Sequence, residues 1–255
     1  MSKDTKIEWA HHSFNAWWGC RKISPACDNC YAEAMAKRTG RDCFGPSPRY
    51  RTKGPWKEVV KWDRDAGKRG VRERLFVNSM SDFFEDNDEL HEWRVDALMI
   101  LEDMQNLDVM FLTKRPAIAA KYFDEYYHDL PDHFWVGVTA ENQSFYNLRV
   151  DALQTIPAKV KFVSIEPMLG MIDMGDYLSE EIDWVITGAE SGHRSRVAKV
   201  QWFRSLQYQC KEAGVPFMLK QMHVDEGTGL DTKIKLVKKP FLDGVQYLEI
   251  PRVKS

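Results

Sequence analysis

The chain has 255 residues, 36 Lys and Arg against 38 Asp and Glu, and a formal net charge of −2. With 44% apolar and 29% charged residues it is a globular protein rather than a disordered one, of a length that makes one or two domains with a full core. No apolar run approaches the roughly 18 residues of a membrane span, and Met1–Ala10, with Lys3, Asp4, Lys6 and Glu8, does not read as a secretion signal. A cytoplasmic location without a membrane partner is expected, where five cysteines are metal ligands or thiols rather than a disulfide framework.

In chain order, Phe14–Trp18 reads as a first strand, followed by a cysteine-bearing loop and a helix over Tyr31–Arg38. From Arg74 onward short apolar runs alternate with helical stretches. The runs are Leu75–Asn78, Val109–Leu112, Phe134–Val138, Val160–Ile165, Trp184–Ile186 and Val215–Leu219, with starts 34, 25, 26, 24 and 31 residues apart. That is the spacing of strand–helix units, whose parallel strands need a crossover of a dozen or more residues. Asp88–Gln105 carries Leu90, Trp93, Ala97, Leu98 and Leu101 at helical spacing behind an acidic start. Ser144–Leu153 and Lys199–Ala213 are similar, the latter ending at Gly214. After Met222 the chain becomes polar, and Val237–Phe241 and Val245–Ile250 flank Asp243-Gly244 as a hairpin would. The expected fold is α/β: a partial or full (β/α) barrel of about six to seven parallel strands over residues 1–222, with a C-terminal extension over 223–255. An open doubly wound sheet is the runner-up. In both, reactive residues belong at the strand C-terminal ends.

Cys20, Cys27 and Cys30 form a C-x6-C-x2-C pattern, with Ser24-Pro25 as a turn between the first two. Cys30 opens a helix, where the dipole favours a thiolate. Three thiolates suit an iron–sulfur cluster with one iron left open, or zinc with a fourth ligand drawn from Cys43, His11 or His12; packed free thiols are the third possibility. Cys43 and Cys210 read as incidental thiols, Cys43 remaining a candidate hydrogen donor.

A cysteine triad in the first strand-to-helix loop resembles the radical S-adenosylmethionine superfamily, with a longer first gap than its usual C-x3-C-x2-C but the same final C-x2-C beside an aromatic, Tyr31. A closer resemblance, to a phage-encoded family with a three-cysteine motif, rests on Lys6-Ile7-Glu8-Trp9, Phe14-Asn15, Gly19-Cys20 and Asn29-Cys30-Tyr31-Ala32-Glu33. It extends through Asn78-Ser79-Met80-Ser81-Asp82-Phe83, Leu112-Thr113-Lys114-Arg115-Pro116, Gly137-Val138-Thr139-Ala140-Glu141-Asn142, Ser164-Ile165-Glu166-Pro167 and Gly188-Ala189-Glu190-Ser191-Gly192. The Ser-Met-Ser-Asp and Thr-Lys blocks are also similar to spore photoproduct lyases. The resemblance implies a 4Fe–4S cluster on Cys20, Cys27 and Cys30, bound S-adenosylmethionine, an electron donor, and an adenosyl radical that abstracts hydrogen from substrate. Ser79, Ser81 and Asp82 would then receive the methionine amino group, Lys114 a carboxylate or ribose, Ser164 and Glu166 ribose hydroxyls or substrate, and Glu190 the adenine or substrate. The plainer alternatives are a helix cap for Asp82, a solvated pair for Lys114-Arg115 and a turn hydrogen bond for Glu166.

Between the first helix and the second strand, Arg49 to Arg74 carries ten Lys and Arg against four acids, a local charge of +6, with Trp56 and Trp62 interleaved. That composition suits phosphate contacts with stacking platforms, hence a DNA or nucleotide partner; a solvated helix with packed tryptophans is the alternative. Together with the resemblance, it implies a radical isomerase that converts an N-linked amino-acid adduct on the thymine 5-methyl carbon to a C-linked one in phage DNA. A radical lyase acting on thymine lesions and a zinc-stabilised nucleic-acid-binding protein are the other candidates.

Overall fold

A computed structural model describes residues 2–3, 5, 7–54, 56–175, 177–192, 194–227 and 233–251. In chain order the strands are β1 (Ser2–Lys3), β2 (His12–Phe14), β3 (Trp17–Trp18), β4 (Tyr50–Arg51), β5 (Glu73–Val77), β6 (Leu107–Thr113), β7 (Phe134–Thr139), β8 (Val160–Ile165), β9 (Trp184–Gly188), β10 (Phe217–Asp225) and β11 (Ile234–Lys238). The helices are α1 (Tyr31–Arg38), α2 (Trp56–Arg69), α3 (His91–Glu102), α4 (Pro116–Tyr126), α5 (Gln143–Gln154), α6 (Tyr177–Glu180) and α7 (Val200–Ala213). One sheet runs β1-β2-β5-β6-β7-β8-β9-β10-β11 and curves into a half-barrel. Strands β2 and β5 to β10 are parallel, and β1 and β11 pair antiparallel at the two edges.

The apolar runs serve two cores because successive strand side chains point to opposite faces. On β6, Val109 and Phe111 face the helices while Met110 and Leu112 face the barrel interior; on β7, Phe134 and Val136 face out and Trp135 faces in. The inner core also holds Phe76, Phe162, Trp184, Ile186 and Met218. Gly137 makes room for it: a Cβ there would stand 2.5 Å from the Phe162 ring. Trp9 closes the inner face, its ring 4.5 Å from Phe76 and its carbonyl accepting from Arg74 Nε at 2.8 Å.

Two sequence expectations need correction. Phe14–Trp18 is not one strand. The sheet strand ends at Phe14, where Asn15 turns away to bind Met80 N through its side chain at 2.8 Å; Trp17–Trp18 then pairs with Tyr50–Arg51 in a separate ribbon. The tail also does not fold back on itself over Val237–Phe241 and Val245–Ile250. Asp243-Gly244 turns within a single Leu242–Val245 bridge, while β11 pairs with β10 and Leu219 N donates to Tyr247 O at 2.9 Å. Pairing with an existing strand satisfies the tail's backbone more fully than an isolated hairpin does. Strand β10 runs through Met222, so the C-terminal extension continues the barrel sheet. The Asp88–Gln105 stretch begins as a 3-10 turn over Asp88–Leu90 before α3.

The basic segment also reads differently once folded. Trp62 is 3% exposed and stacks on His12 at 4.4 Å, and Trp56 packs on Phe14 at 4.9 Å; both belong beneath α2 rather than on a nucleic-acid platform. Arg49 is buried against Glu85, Arg72 pairs with Asp108 and Arg69 with Glu73. The cations of the segment without an ion pair among the described residues are Lys53, Lys57, Lys61, Lys68 and Arg74, and Arg74 is spent on the Trp9 carbonyl. Truncation of Trp62 to Ala should therefore cost about 3–5 kcal/mol in urea denaturation, as for a core aromatic, against about 0.5 kcal/mol or less for an exposed platform residue.

Candidate functional site

Strands β5 to β9 end on a common rim, and the loop that carries the cysteines, residues 20–30, lies across it. Carboxylates after the alternate strands β5, β7 and β9 hold this loop. After β5, Asp82 accepts at Oδ1 from Thr113 Oγ1 at 2.7 Å and at Oδ2 from Arg115 Nη1 at 2.8 Å, and Arg115 Nη2 continues to Arg21 O at 2.8 Å. Glu85 accepts from Arg21 N at 3.0 Å and from Arg49 through Nε and Nη2. After β7, Glu141 is fully buried; it accepts from Arg149 Nη1 at 2.7 Å and from Ala26 N at 3.4 Å. After β9, Glu190 accepts from Asn29 Nδ2 at 3.0 Å and pairs with Arg196, whose Nη2 also donates to Pro25 O at 2.8 Å. Burial opposes ionisation of Glu190, but the hydrogen bonds from Arg196 and Asn29 outweigh it and hold the carboxyl below its ordinary range.

Loop entry depends on Gly19. Its φ of +98° lies in the left-handed region, and a Cβ would fall 1.8 Å from the Cys43 carbonyl oxygen. Loop exit is the start of α1, with Cys30 at its N-cap and Tyr31 donating its hydroxyl to Ser79 O at 2.5 Å.

A cavity of about 490 Å³ lies between loop and rim. Cys20, Cys27 and Cys30 line it, and so do Ser79, Ser81, Asp82, Lys114, Ser164, Glu166 and Glu190. The ten residues expected to hold a cluster and its cofactor or substrate thus line one cavity, but their freedom differs. Ser81 donates to Trp17 O at 3.1 Å and Ser79 bonds Asn15. Asp82 and Glu190 spend both oxygens on the anchoring bonds above. Lys114 has no ion-pair partner among the described residues. Glu166 takes Lys220 Nζ at 2.5 Å and Gln221 Nε2 at 3.2 Å, both on Oε1. Cys43, Cys210, His11 and His12 do not line the cavity: Cys43 is buried behind it, in a small core with Ala32, Ala36, Phe44 and Met80 against which Cys20 and Cys30 pack, Cys210 is buried in the main core, His12 bonds Glu73, and His11 Nδ1 accepts from Arg74 N. No residue from 49 to 74 lines it either. Lys6, in the opening sequence block, lies outside the described residues.

Lys220 and Gln221 were not singled out in the sequence. Their signal was present, however, as two adjacent polar residues inside the apolar run Phe217–Met222. Asn29 and Arg196 left less trace, because side-chain anchors at 161 and 171 residues of separation have no local pattern.

As a donor set, the three cysteines are the residues able to hold a metal group. Burial, reinforced by Asp82 and Cys30, pushes the Cys20 thiol up to about 12, so it becomes a thiolate when an adjacent cation compensates for the burial. Among the described residues no group of three or more His, Cys, Asp and Glu side chains is drawn together to hold a metal ion as it stands.

Fold and site together define an α/β half-barrel protein with a cysteine-lined cavity at the C-terminal ends of its strands. The chain belongs to the DUF5131 family, described as proteins of unknown function, which it matches over residues 4–251. Neither curated proteins nor solved structures give a match.

Because Glu190 carries the far end of the loop, Glu190→Gln should loosen Cys27 without unfolding the barrel. The expected result is alkylation of Cys27 by iodoacetamide faster by about tenfold, equivalent to about 1.4 kcal/mol of easier local opening, with the thermal midpoint little changed.

Proposed function

We propose that this protein is a radical S-adenosylmethionine enzyme. Cys20, Cys27 and Cys30 would hold three irons of a 4Fe–4S cluster. The observation that carries the proposal is the convergence of three cysteines, from a loop after the first parallel strand, on the same cavity as the strand-end residues Ser79, Ser81, Lys114, Ser164 and Glu166. The cluster with S-adenosylmethionine supplies one-electron cleavage of the cofactor and hydrogen abstraction from a substrate.

The chain's own residues position and enclose. The carboxylate anchors fix the cysteine loop over the rim, so the metal ligands share one cavity wall with the polar strand ends. Trp9, Phe76 and Leu112 contribute an apolar part of that wall, which excludes water as reactive intermediates require. Lys114, an ammonium in the cavity with no ion-pair partner among the described residues, suits a carboxylate of the cofactor. Asn78, 2% exposed with its Nδ2 unpartnered among the described residues and its Oδ1 taken by Ala16 N, suits an acceptor on a bound ligand.

The substrate class favoured is a modified thymidine of phage DNA. There the enzyme would move an amino-acid substituent on the thymine 5-methyl carbon from nitrogen to carbon linkage: the bond from that carbon to nitrogen and one C–H bond of the amino-acid α-carbon break, a bond from that carbon to the α-carbon and one N–H bond form, and no atom is gained or lost overall. Such a residue must leave the duplex stack to enter a cavity of this depth. The remaining free cations of α2, Lys57, Lys61 and Lys68, would contact phosphates rather than read bases. An electron donor completes the system, in the host cytoplasm.

Anaerobic reconstitution with iron and sulfide tests the proposal. The expected product is brown, with about four irons per chain and absorption near about 400 nm, and Cys27→Ala loses most of that absorption. A colourless protein that retains one zinc would contradict it. With the cluster in place, amino-acid-modified thymidine DNA distinguishes isomerase from lyase: the isomerase returns a product of unchanged mass, whereas a lyase acts on irradiated DNA instead.

A further inference from the structure

We infer that Glu166 and Lys220 form a receptor for a zwitterionic α-amino-acid group, with Glu166 taking the ammonium and Lys220 the carboxylate. The assignment of that group to the substrate rests on the function proposed above.

The geometry has three parts. First, Glu166 follows β8 and Lys220 lies in β10, and the two meet across the end of β9, where Gly188 leaves the side chains of Glu166 and Gln221 room. A Cβ there would stand 3.2 Å from Gln221 Cγ and 3.5 Å from Glu166 Cδ. Second, β10 is irregular at this point: Leu219 pairs with Thr187 and Gln221 with Gly188, so Lys220 is an extra residue against β9. Strict alternation would turn one of Lys220 and Gln221 away from the cavity; the irregularity lets both line it. Strands carry such bulges where a side chain must be re-aimed beside a site. Third, both donors bind the same oxygen of Glu166, Oε1, and Gln221 is itself fixed to Ala189 O at 2.7 Å. Oε2 has no partner among the described residues.

This sets Glu166 apart from the other strand-end carboxylates. Asp82, Glu141 and Glu190 each use both oxygens in holding the cysteine loop or its anchors. Glu166 touches no residue of that loop and keeps one oxygen for the cavity. The Glu166 and Lys220 side chains are 18% and 17% exposed, and that exposure is to the cavity they line. A half-desolvated ion pair adds little to stability, so its place on the wall is better explained by what it receives. A ligand with its own ammonium and carboxylate can meet both charges without leaving an unpaired one, whereas a neutral or singly charged ligand cannot.

S-adenosylmethionine carries the same group, so the test separates the two sources. Isothermal titration calorimetry on the full-length, cluster-reconstituted protein would compare 2′-deoxyuridine bearing an N-linked glycine on its 5-methyl carbon with the methyl ester of that compound. N-methylglycine, its methyl ester and S-adenosylmethionine would be titrated separately. Wild-type protein should bind each free acid about tenfold or more tighter than its ester. Lys220→Met should bring that ratio to about one, and Glu166→Gln should weaken the free acids by about tenfold, with S-adenosylmethionine affinity within about twofold of wild type in both variants. A wild-type ratio near one overturns the inference with no variant needed. A large loss of S-adenosylmethionine affinity with the acid-to-ester ratio intact also overturns it, because the pair then serves the cofactor. If N-methylglycine shows the carboxylate preference and the nucleoside does not bind, the receptor stands and the thymidine substrate falls.

Discussion

The cysteine loop has no sheet partner and only one short 3-10 turn, Pro25–Cys27, of its own, so beyond the hydrogen bond from Gly45 N to Cys20 O at 3.2 Å its position over the half-barrel comes from side chains. It comes from acids at three strand ends. Glu85, Glu141 and Glu190 meet the loop directly through Arg21 N, Ala26 N and Asn29 Nδ2, and Asp82 meets it through Arg115. Each anchoring carboxylate but one has an arginine partner in Arg49, Arg149 or Arg196 as well, and Asp82 has Arg115 itself. The pairs buried on both sides, Arg49–Glu85, Arg149–Glu141 and Arg115–Asp82, contribute little net stability against well-packed apolar substitutes, yet breaking one partner there is costly because a charge is left uncompensated, whereas the partly exposed Arg196 keeps solvent to compensate it. Their effect is to specify one loop position. With that position set, Cys20, Cys27 and Cys30 share a cavity with the strand-end polar groups, and the chemistry proposed for the site depends on that sharing.

The rim therefore divides its acids by task. A carboxylate with both oxygens engaged is a structural anchor whatever its sequence context, while one with an open oxygen facing a cavity is available to a ligand. By that criterion Asp82 and Glu190 act on the loop and Glu166 on whatever enters. The cations divide in the same way. Arg49, Arg115, Arg149 and Arg196 are committed to loop and rim, whereas Lys114 is unpaired among the described residues and Lys220 sits opposite the open carboxylate. The guanidinium fork suits anchoring because it reaches a carboxylate and a backbone carbonyl at once, as Arg196 does with Glu190 and Pro25.

Much of the fold was legible because local pattern and tertiary role agree. Val160–Ile165 and Tyr31–Arg38 appear with the boundaries their residues suggest, and Gly214 takes the left-handed C-cap expected of it. Where pattern failed, a longer-range contact decided. The apparent strand Phe14–Trp18 breaks because Asn15 binds Met80, 65 residues away, and the tail pairs with β10 instead of itself. That the strand-end polar residues line one cavity was legible for a related reason: each follows an apolar run, and a parallel sheet brings all run ends to one rim. What composition could not separate was anchor from ligand group, since Asp82, Glu166 and Glu190 occupy equivalent strand ends and differ only in their partners. Composition also overstated the Arg49–Arg74 segment. Its arginines are largely consumed by Glu85, Asp96, Glu73 and Asp108, and its tryptophans are needed to seat α2.

If the proposed function holds, the anchored loop presents three cysteines to a cluster with one iron open to a ligand. Electron paramagnetic resonance of the reconstituted, dithionite-reduced protein, titrated with S-adenosylmethionine, reads this out. A reduced-cluster signal whose g values shift on addition of S-adenosylmethionine is expected, because an iron without a cysteine ligand would be free to accept it. A cluster signal that S-adenosylmethionine leaves unchanged, or no cluster signal after full reconstitution, would contradict it.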